Sequence, residues 1–171
     1  KYLPALASGE EIGSFCLSEA GSGSDAAALK TTATKTDGGY ILNGSKMWIT
    51  SGTQSDYLTL LARTSEGDGY KGMSLIVVPT NTPGCSVSKK LVKLGNHSSD
   101  TAILSFDDMR VPQANRIGPE GKGFYLQMKQ FQVERLAAVL MTLTGMERAI
   151  EITIKYGRER QIFGKPLLNN Q

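Results

Sequence analysis

The stretch Leu29-Lys30-Thr31-Thr32-Ala33-Thr34-Lys35-Thr36-Asp37-Gly38-Gly39-Tyr40-Ile41-Leu42-Asn43-Gly44 decides the fold. Two runs of strand-forming residues flank Asp37-Gly38-Gly39, where glycine supplies the positive φ of a tight reversal, so the spacing predicts a β-hairpin. Just before it, Gly21, Gly23 and Ala26 satisfy the dinucleotide pattern G-x-G-x-x-G/A. That pattern holds a phosphate only when it opens the crossover helix of a βαβ unit. A hairpin follows here instead, and the dinucleotide reading is rejected.

Outward from the hairpin, the text from Gly13 to about Pro112 consists of short runs rich in Thr, Val, Ile, Leu and Tyr, separated by Gly, Asp, Asn and Pro. Further strands are predicted over Tyr57 to Arg63, Met73 to Pro79, Cys85 to Leu91 and Thr101 to Phe106. Turn residues between every run favour a barrel or a sandwich over alternating strand and helix. After Pro112 the pattern changes: Gly121-Lys122-Gly123 leads into a stretch to Arg160 with no proline and only Gly145 and Gly157 as glycines. That is helical text. Phe124, Met128, Phe131, Val139, Leu143, Met146 and Ile150 recur at steps of three and four, predicting one apolar face that needs partner helices. The fold class is α+β.

The 171 residues carry 40% hydrophobic and 20% charged side chains, within the globular range. The net charge of +3 is spread along the chain, which excludes a nucleic-acid-binding tract. No apolar run approaches the roughly 20 residues that span a bilayer. Cys16 and Cys85 lack metal-ligand spacing and read as buried or half-buried reduced thiols. The start at Lys1 and the stop just after helical text predict a fragment, with any targeting peptide outside it.

Two segments can carry chemistry. In Leu17-Ser18-Glu19-Ala20-Gly21-Ser22-Gly23-Ser24-Asp25, two glycines expose backbone N–H groups beside three hydroxyls, suited to a polar heterocycle or a phosphate; a plain polar turn is the lesser reading of the loop taken alone. In Asn43-Gly44-Ser45-Lys46-Met47-Trp48-Ile49-Thr50-Ser51-Gly52, the single Trp stands beside a Thr hydroxyl just after an expected turn. An aromatic plane with one hydroxyl donor suits a planar ring, although a lone strand Trp is more often core.

Ser18 to Asp25 followed by Tyr40 to Thr50 resembles the two flavin-site motifs of the acyl-CoA dehydrogenases. The likeness continues in order through Pro83-Gly84, Leu94-Gly95, Ser99-Asp100-Thr101, Val111-Pro112, Gly121-Lys122-Gly123-Phe124 and Arg160-Gln161-Ile162-Phe163-Gly164-Lys165. It implies an antiparallel β-barrel middle domain followed by long helices of a four-helix bundle. Residues 1–12 would end an N-terminal helical domain, 13–115 form the barrel, and 116–171 begin the bundle. It also implies FAD as cofactor, an acyl-CoA substrate, electron-transferring flavoprotein as partner and a homotetramer. The setting would be the mitochondrial matrix in a eukaryote and the cytoplasm in a bacterium.

Residue by residue, the resemblance implies that Phe15, Leu17, Ser18, Gly23, Ser24, Trp48, Ile49 and Thr50 line the FAD, with Ser24 also reaching towards the CoA portion of the substrate. Arg160, Phe163 and Gln171 would approach an FAD held mainly by a neighbouring subunit, where a guanidinium fork meets a pyrophosphate with paired hydrogen bonds. The catalytic base lies beyond this chain in most members. Gln132-Val133-Glu134-Arg135-Leu136, however, resembles the isovaleryl and long-chain branches, which makes Glu134 the candidate base and Gln132 and Arg135 substrate-binding residues. Gln130, Phe131, Ala137 and Ala138 are the helical neighbours of Glu134, so a largely apolar face is expected to desolvate it and raise its pKa.

Two residues depart from the family pattern: Ala20 stands where proline is usual and His97 where arginine is common. His97 reads as a turn histidine, with no ligand cluster around it. The rival readings are a flavin oxidase or monooxygenase on the same scaffold, separated by fast oxygen reaction of the reduced enzyme, and a non-catalytic assembly module that has lost its flavin, separated by the absence of a flavin spectrum.

Overall fold

The computed structural model describes residues 1–67 and 69–170. The chain divides into two compact units, Lys1–Gln127 and a second from Met128 onward.

The first unit opens with a short helix, α1 (Leu3–Ser8), which has proline in its first turn, where a missing N–H costs nothing. Eight strands then join in one sheet: β1 (Gly13–Cys16), β2 (Thr32–Thr36), β3 (Gly39–Thr50), β4 (Tyr57–Arg63), β5 (Met73–Pro79), β6 (Cys85–Lys90), β7 (Thr101–Pro112) and β8 (Arg116–Ile117). The expected hairpin is β2–β3. Thr36 faces Gly39 across the Asp37-Gly38 loop, and Gly38 takes φ 78°, open to glycine at no steric cost. Between Asp25 and β2 there is only a three-residue 3₁₀ turn, Ala26–Ala28, so no crossover helix follows the glycine pair.

The sheet departs from the expected closed antiparallel barrel. Its order is β6-β7-β3-β2-β4-β5-β8, with free ends at β6 and β8, and it is mixed, because β1 and β2 both pair with β4 in parallel. Turn spacing encodes how many strands there are. It does not encode whether the first and last meet. The β6 end carries exposed Ser86, Ser88, Lys89 and Lys90 and a register shift between Val87 and Lys89, devices that blunt a strand edge. Likewise a single long helix, α2 (Gly123–Glu159), stands where several were expected.

Strand lengths also shift. Asn43-Gly44 lies inside the 12-residue β3 and not in a turn, and β7 runs past Phe106 to Pro112. The shared bulge is sealed by side chains: Asn43 Nδ2 donates to Asp108 Oδ1 at 3.0 Å, and the Asp108 amide donates to Asn43 Oδ1 at 2.9 Å. Gly44 is needed there. At φ 144°, an added Cβ would sit 2.7 Å from Thr31 Oγ1 and 2.8 Å from its Cα.

Leu42, Leu58, Leu60, Ile76, Val78, Leu104 and Met109 form the main core with Tyr40. Leu29, Leu61, Met73 and Leu75 form a second cluster, against which Phe15, Leu17, Phe124 and Leu126 pack. Adjacent Leu60 and Leu61 point to opposite faces, so β4 is buried on both sides. Each such leucine contributes about 1.5–3 kcal/mol by leaving water.

The second unit consists of the rest of α2 and a small hairpin, β9 (Gln161–Ile162) with β10 (Lys165–Pro166). Apart from Gly157, none of its described residues is fully buried. Val133, Leu136, Val139, Leu140, Leu143, Met146, Ile150 and Ile154 are exposed and share one broad face at 100° per residue, while Met141 and Ile152 lie on the opposite side. No described helix is long and apolar enough to cross a membrane.

Candidate functional site

The loop from Leu17 to Asp25 is held by its own backbone and by strand β3. Glu19 and Ser22 exchange both backbone hydrogen bonds, at 2.8 and 3.1 Å, around Ala20-Gly21, and Ser22 Oγ donates to the Asp25 carbonyl at 2.8 Å. Strand β3 comes alongside: the Met47 amide donates to the Ser18 carbonyl at 2.8 Å, and Lys46 Nζ to the Leu17 carbonyl at 2.9 Å. Ser14 Oγ donates to the Thr50 carbonyl at 2.7 Å, so β1 fixes the far end of the same segment. The two motifs, separated in the chain by the β2 hairpin strand, form one surface.

Between them lies a buried ion pair. Lys46 is fully buried, and its ammonium is 2.8 Å from Glu19 Oε1. The Glu19 carboxylate also accepts from the Lys30 amide at 2.7 Å, the Thr31 amide at 3.0 Å and Thr31 Oγ1 at 2.6 Å. These bonds explain why the predicted Leu29 strand starts only at Thr32: the Thr31 amide serves the loop and not the ladder. Burial pushes the Glu19 carboxyl up, but the bonds from Lys46, Thr31 and the Lys30 amide outweigh it and hold the group below its usual range. Burial lowers Lys46, partly offset by Glu19.

Trp48 is not a core residue. It takes φ 64° at the register shift between Lys46 and Ile49, and the residue is 58% exposed. A left-handed tryptophan inside a strand is a strained conformation, of the kind that clusters at functional sites. The bulge turns the indole outward while Ile49, next in line, is buried in the core. Any contact from Ile49 to a ligand on this surface therefore comes from its backbone. Thr50, Gly23 and Ser24 are exposed, Ser18 is half-buried, and Phe15 and Leu17 are half-buried against the second core cluster. An open indole plane beside hydroxyls and loop backbone fits a planar ring with polar edges, the class of ring to which the isoalloxazine expected from the resemblance belongs.

In the second unit, Gln132, Glu134 and Arg135 are all exposed. The guanidinium of Arg135 lies over the Phe131 ring at 5.5 Å. The expected desolvation of Glu134 is not supplied by the described residues of its own unit, because Ala137 and Ala138 are themselves exposed and Phe131 is only half-covered. Glu134 projects from the side of α2 opposite its broad apolar face, near Met141. Phe163 and Gly164 form the β9–β10 turn with φ 49° and 75°, which leaves Phe163 90% exposed beside exposed Arg160. Gln171 lies outside the described residues.

Glu19, Lys46 and Thr31 escaped sequence reasoning, as did Arg63, which donates to the Ala27 carbonyl at 2.6 Å and the Leu29 carbonyl at 3.0 Å. One signal was available: an ionisable residue, Lys46, at an inward-facing strand position opposite an acid in a polar loop. Burial pushes the Cys16 thiol up to about 12, so it is inert, and Cys85 is also free. His97 sits exposed in a turn, with Nε2 3.2 Å from the Leu94 carbonyl. Among the described residues no group of His, Cys, Asp and Glu is arranged to hold a metal.

Residues 14–109 match the family described as acyl-CoA dehydrogenase, middle domain, and residues 121–171 match acyl-CoA dehydrogenase, C-terminal domain. An acyl-CoA dehydrogenase of Bacillus subtilis (strain 168) is 44% identical over 171 residues, covering 100% of this chain and 45% of the relative. A mitochondrial isovaleryl-CoA dehydrogenase of Oryza sativa subsp. japonica is 41% identical over 167 residues, covering 98% of this chain and 41% of its own length. The crystal structure of a probable acyl CoA dehydrogenase from Mycobacterium abscessus superposes with a TM-score of 0.96 at 44% identity, covering 99% of this chain and 45% of that one. The chain thus spans less than half the length of the curated relatives it matches.

Proposed function

Because the chain belongs to the acyl-CoA dehydrogenase family, we propose that the complete protein carrying it oxidises an acyl-CoA thioester to the trans-2-enoyl-CoA. The observation that carries this reading is the meeting of the two motifs. Met47 donates to the Ser18 carbonyl at 2.8 Å and the next residue turns an open indole plane outward beside Thr50. Phe15, Leu17, Ser18, Gly23, Ser24, Trp48 and Thr50, with the Ile49 backbone, would hold the flavin, and Ser24 would also reach the CoA. FAD, when bound, supplies the acceptor for the hydride that leaves the β-carbon.

Glu134 takes the α-proton as general base, and Gln132 and Arg135 hold the substrate. Helix geometry supports the role of Glu134, whereas Gln132 falls on the apolar face and rests on the motif alone. If partner helices cover the broad apolar face of α2, the opposite side, bearing Glu134 among small alanines, is left for the thioester. Arg160, Phe163 and Gln171 serve a flavin held by a neighbouring copy of the protein.

The proposal extends to the division of the chain: residues 1–12 end an N-terminal helical domain, 13–115 form the flavin and substrate domain, and 116–171 begin a helical bundle. Electron-transferring flavoprotein is the onward acceptor and a homotetramer the working state. The location is the mitochondrial matrix in a eukaryote or the cytoplasm in a bacterium.

Replacing Glu134 with Gln in the complete protein tests the reading. Flavin reduction by acyl-CoA should slow by about 10²- to 10⁴-fold, the range of a general base, while FAD stays bound. Reduction at the unsubstituted rate would remove Glu134 from the mechanism.

A further inference from the structure

In the Glu19–Lys46 pair the lysine side chain is fully buried and the glutamate side chain keeps only 9% exposure, so both ions lose most of their hydration. An apolar pair of similar volume would serve stability as well or better. What the pair adds is geometry. Lys46 Nζ bonds both the Glu19 carboxylate and the Leu17 carbonyl, one residue on either side of Ser18. The same lysine stands two positions before Trp48 on β3. Glu19 ties in a third segment through the Lys30 amide and Thr31, and Gly44 leaves the room in which Thr31 fits against β3. Three stretches distant in sequence are thereby locked in one register, with Ser18 and Trp48 as their outward-facing ends.

We propose that Glu19 and Lys46, with Thr31, are positioning residues that set the Ser18 backbone against the Met47-Trp48 bulge, and so fix the flavin ring for hydride transfer. This rests on the flavin reading above. The pair acts through the backbone of its neighbours, so its loss should alter where the ring sits more than how tightly the substrate is held. Displacements of about 1 Å in a reacting geometry cost on the order of 100-fold in rate.

The experiment uses the complete protein as holoenzyme and compares it with E19Q, T31V and the neutral double variant E19Q/K46M. Four quantities are read: thermal stability, hydrogen exchange at the Met47 amide, the visible flavin spectrum with the FAD dissociation constant, and the rate and apparent KM of anaerobic flavin reduction. The double variant removes both buried charges and should recover the stability lost in E19Q. It should nonetheless keep faster Met47 exchange, an altered flavin band and a reduction rate about 10- to 100-fold down, with KM changed by less than about threefold. T31V removes one hydroxyl from the same carboxylate and should move these readouts in the same direction by about two- to fivefold, without depending on E19Q folding. A spectrum, exchange rate and reduction rate that return to normal together with stability in the double variant would overturn the proposal, as would an unchanged T31V. Failure of the flavin reading itself is separate: the unsubstituted complete protein would then be colourless.

Discussion

Leu60 in the first unit has no solvent exposure, whereas Leu140 in the second keeps 57%. The two leucines mark two ways of using apolar sequence. The first unit buries its leucines against its own strands, holds its loops with its own polar groups, and presents an ordered surface at Ser18 and Trp48. The second displays a long helix whose apolar face and whose candidate base both wait for neighbours. A site made by one unit can be described down to hydrogen bonds. A site that several segments share keeps only its motif.

The contrast can be broken by substitution. Leu60→Ala in this chain should cost about 2–5 kcal/mol in urea denaturation, the range for deleting a fully buried leucine side chain. Gly44→Ala comes next, at about 1–3 kcal/mol, because the φ of 144° and the 2.7 Å approach of Thr31 both oppose a Cβ; a thermal melt of the variant measures it. Smaller still is the acid response. Glu19 binds its proton more weakly folded than unfolded, so its stabilisation is fully present above its ordinary value of 4.5 and drains away as the pH falls below it. A pH series of melts should therefore show a steeper acid loss for the unsubstituted chain than for Glu19→Gln. Leu140→Ala should be the mildest, within about 0.5 kcal/mol in this chain. In the complete protein the same change should approach the cost of Leu60→Ala, and a persistently negligible effect there would remove the case for a covered helix face.

The sequence made the strands and the long helix legible because alternation, turn residues and helical spacing are local. Asp37-Gly38 closed the hairpin as expected, and Gly123 opened the helix. Sheet closure was not legible, since it depends on whether β6 and β8 meet and no local pattern encodes that. Asn43-Gly44 looked like a turn because its composition is that of a turn; the pairing of Asn43 with Asp108 across the β3–β7 bulge is a long-range event. The Glu19–Lys46 pair escaped for the same reason, its partners lying 27 residues apart. The surroundings of Glu134 follow another rule. The described residues of its own unit leave it exposed, so the motif around Arg135 speaks for it more than the helix does.

The most direct test of the account is anaerobic titration of the complete, purified protein with a panel of straight and branched acyl-CoAs. The account predicts a yellow protein whose flavin absorbance bleaches with at least one of them, in step with formation of a trans-2-enoyl-CoA. A protein that carries flavin and keeps its colour through the whole panel, or that carries none, would contradict it.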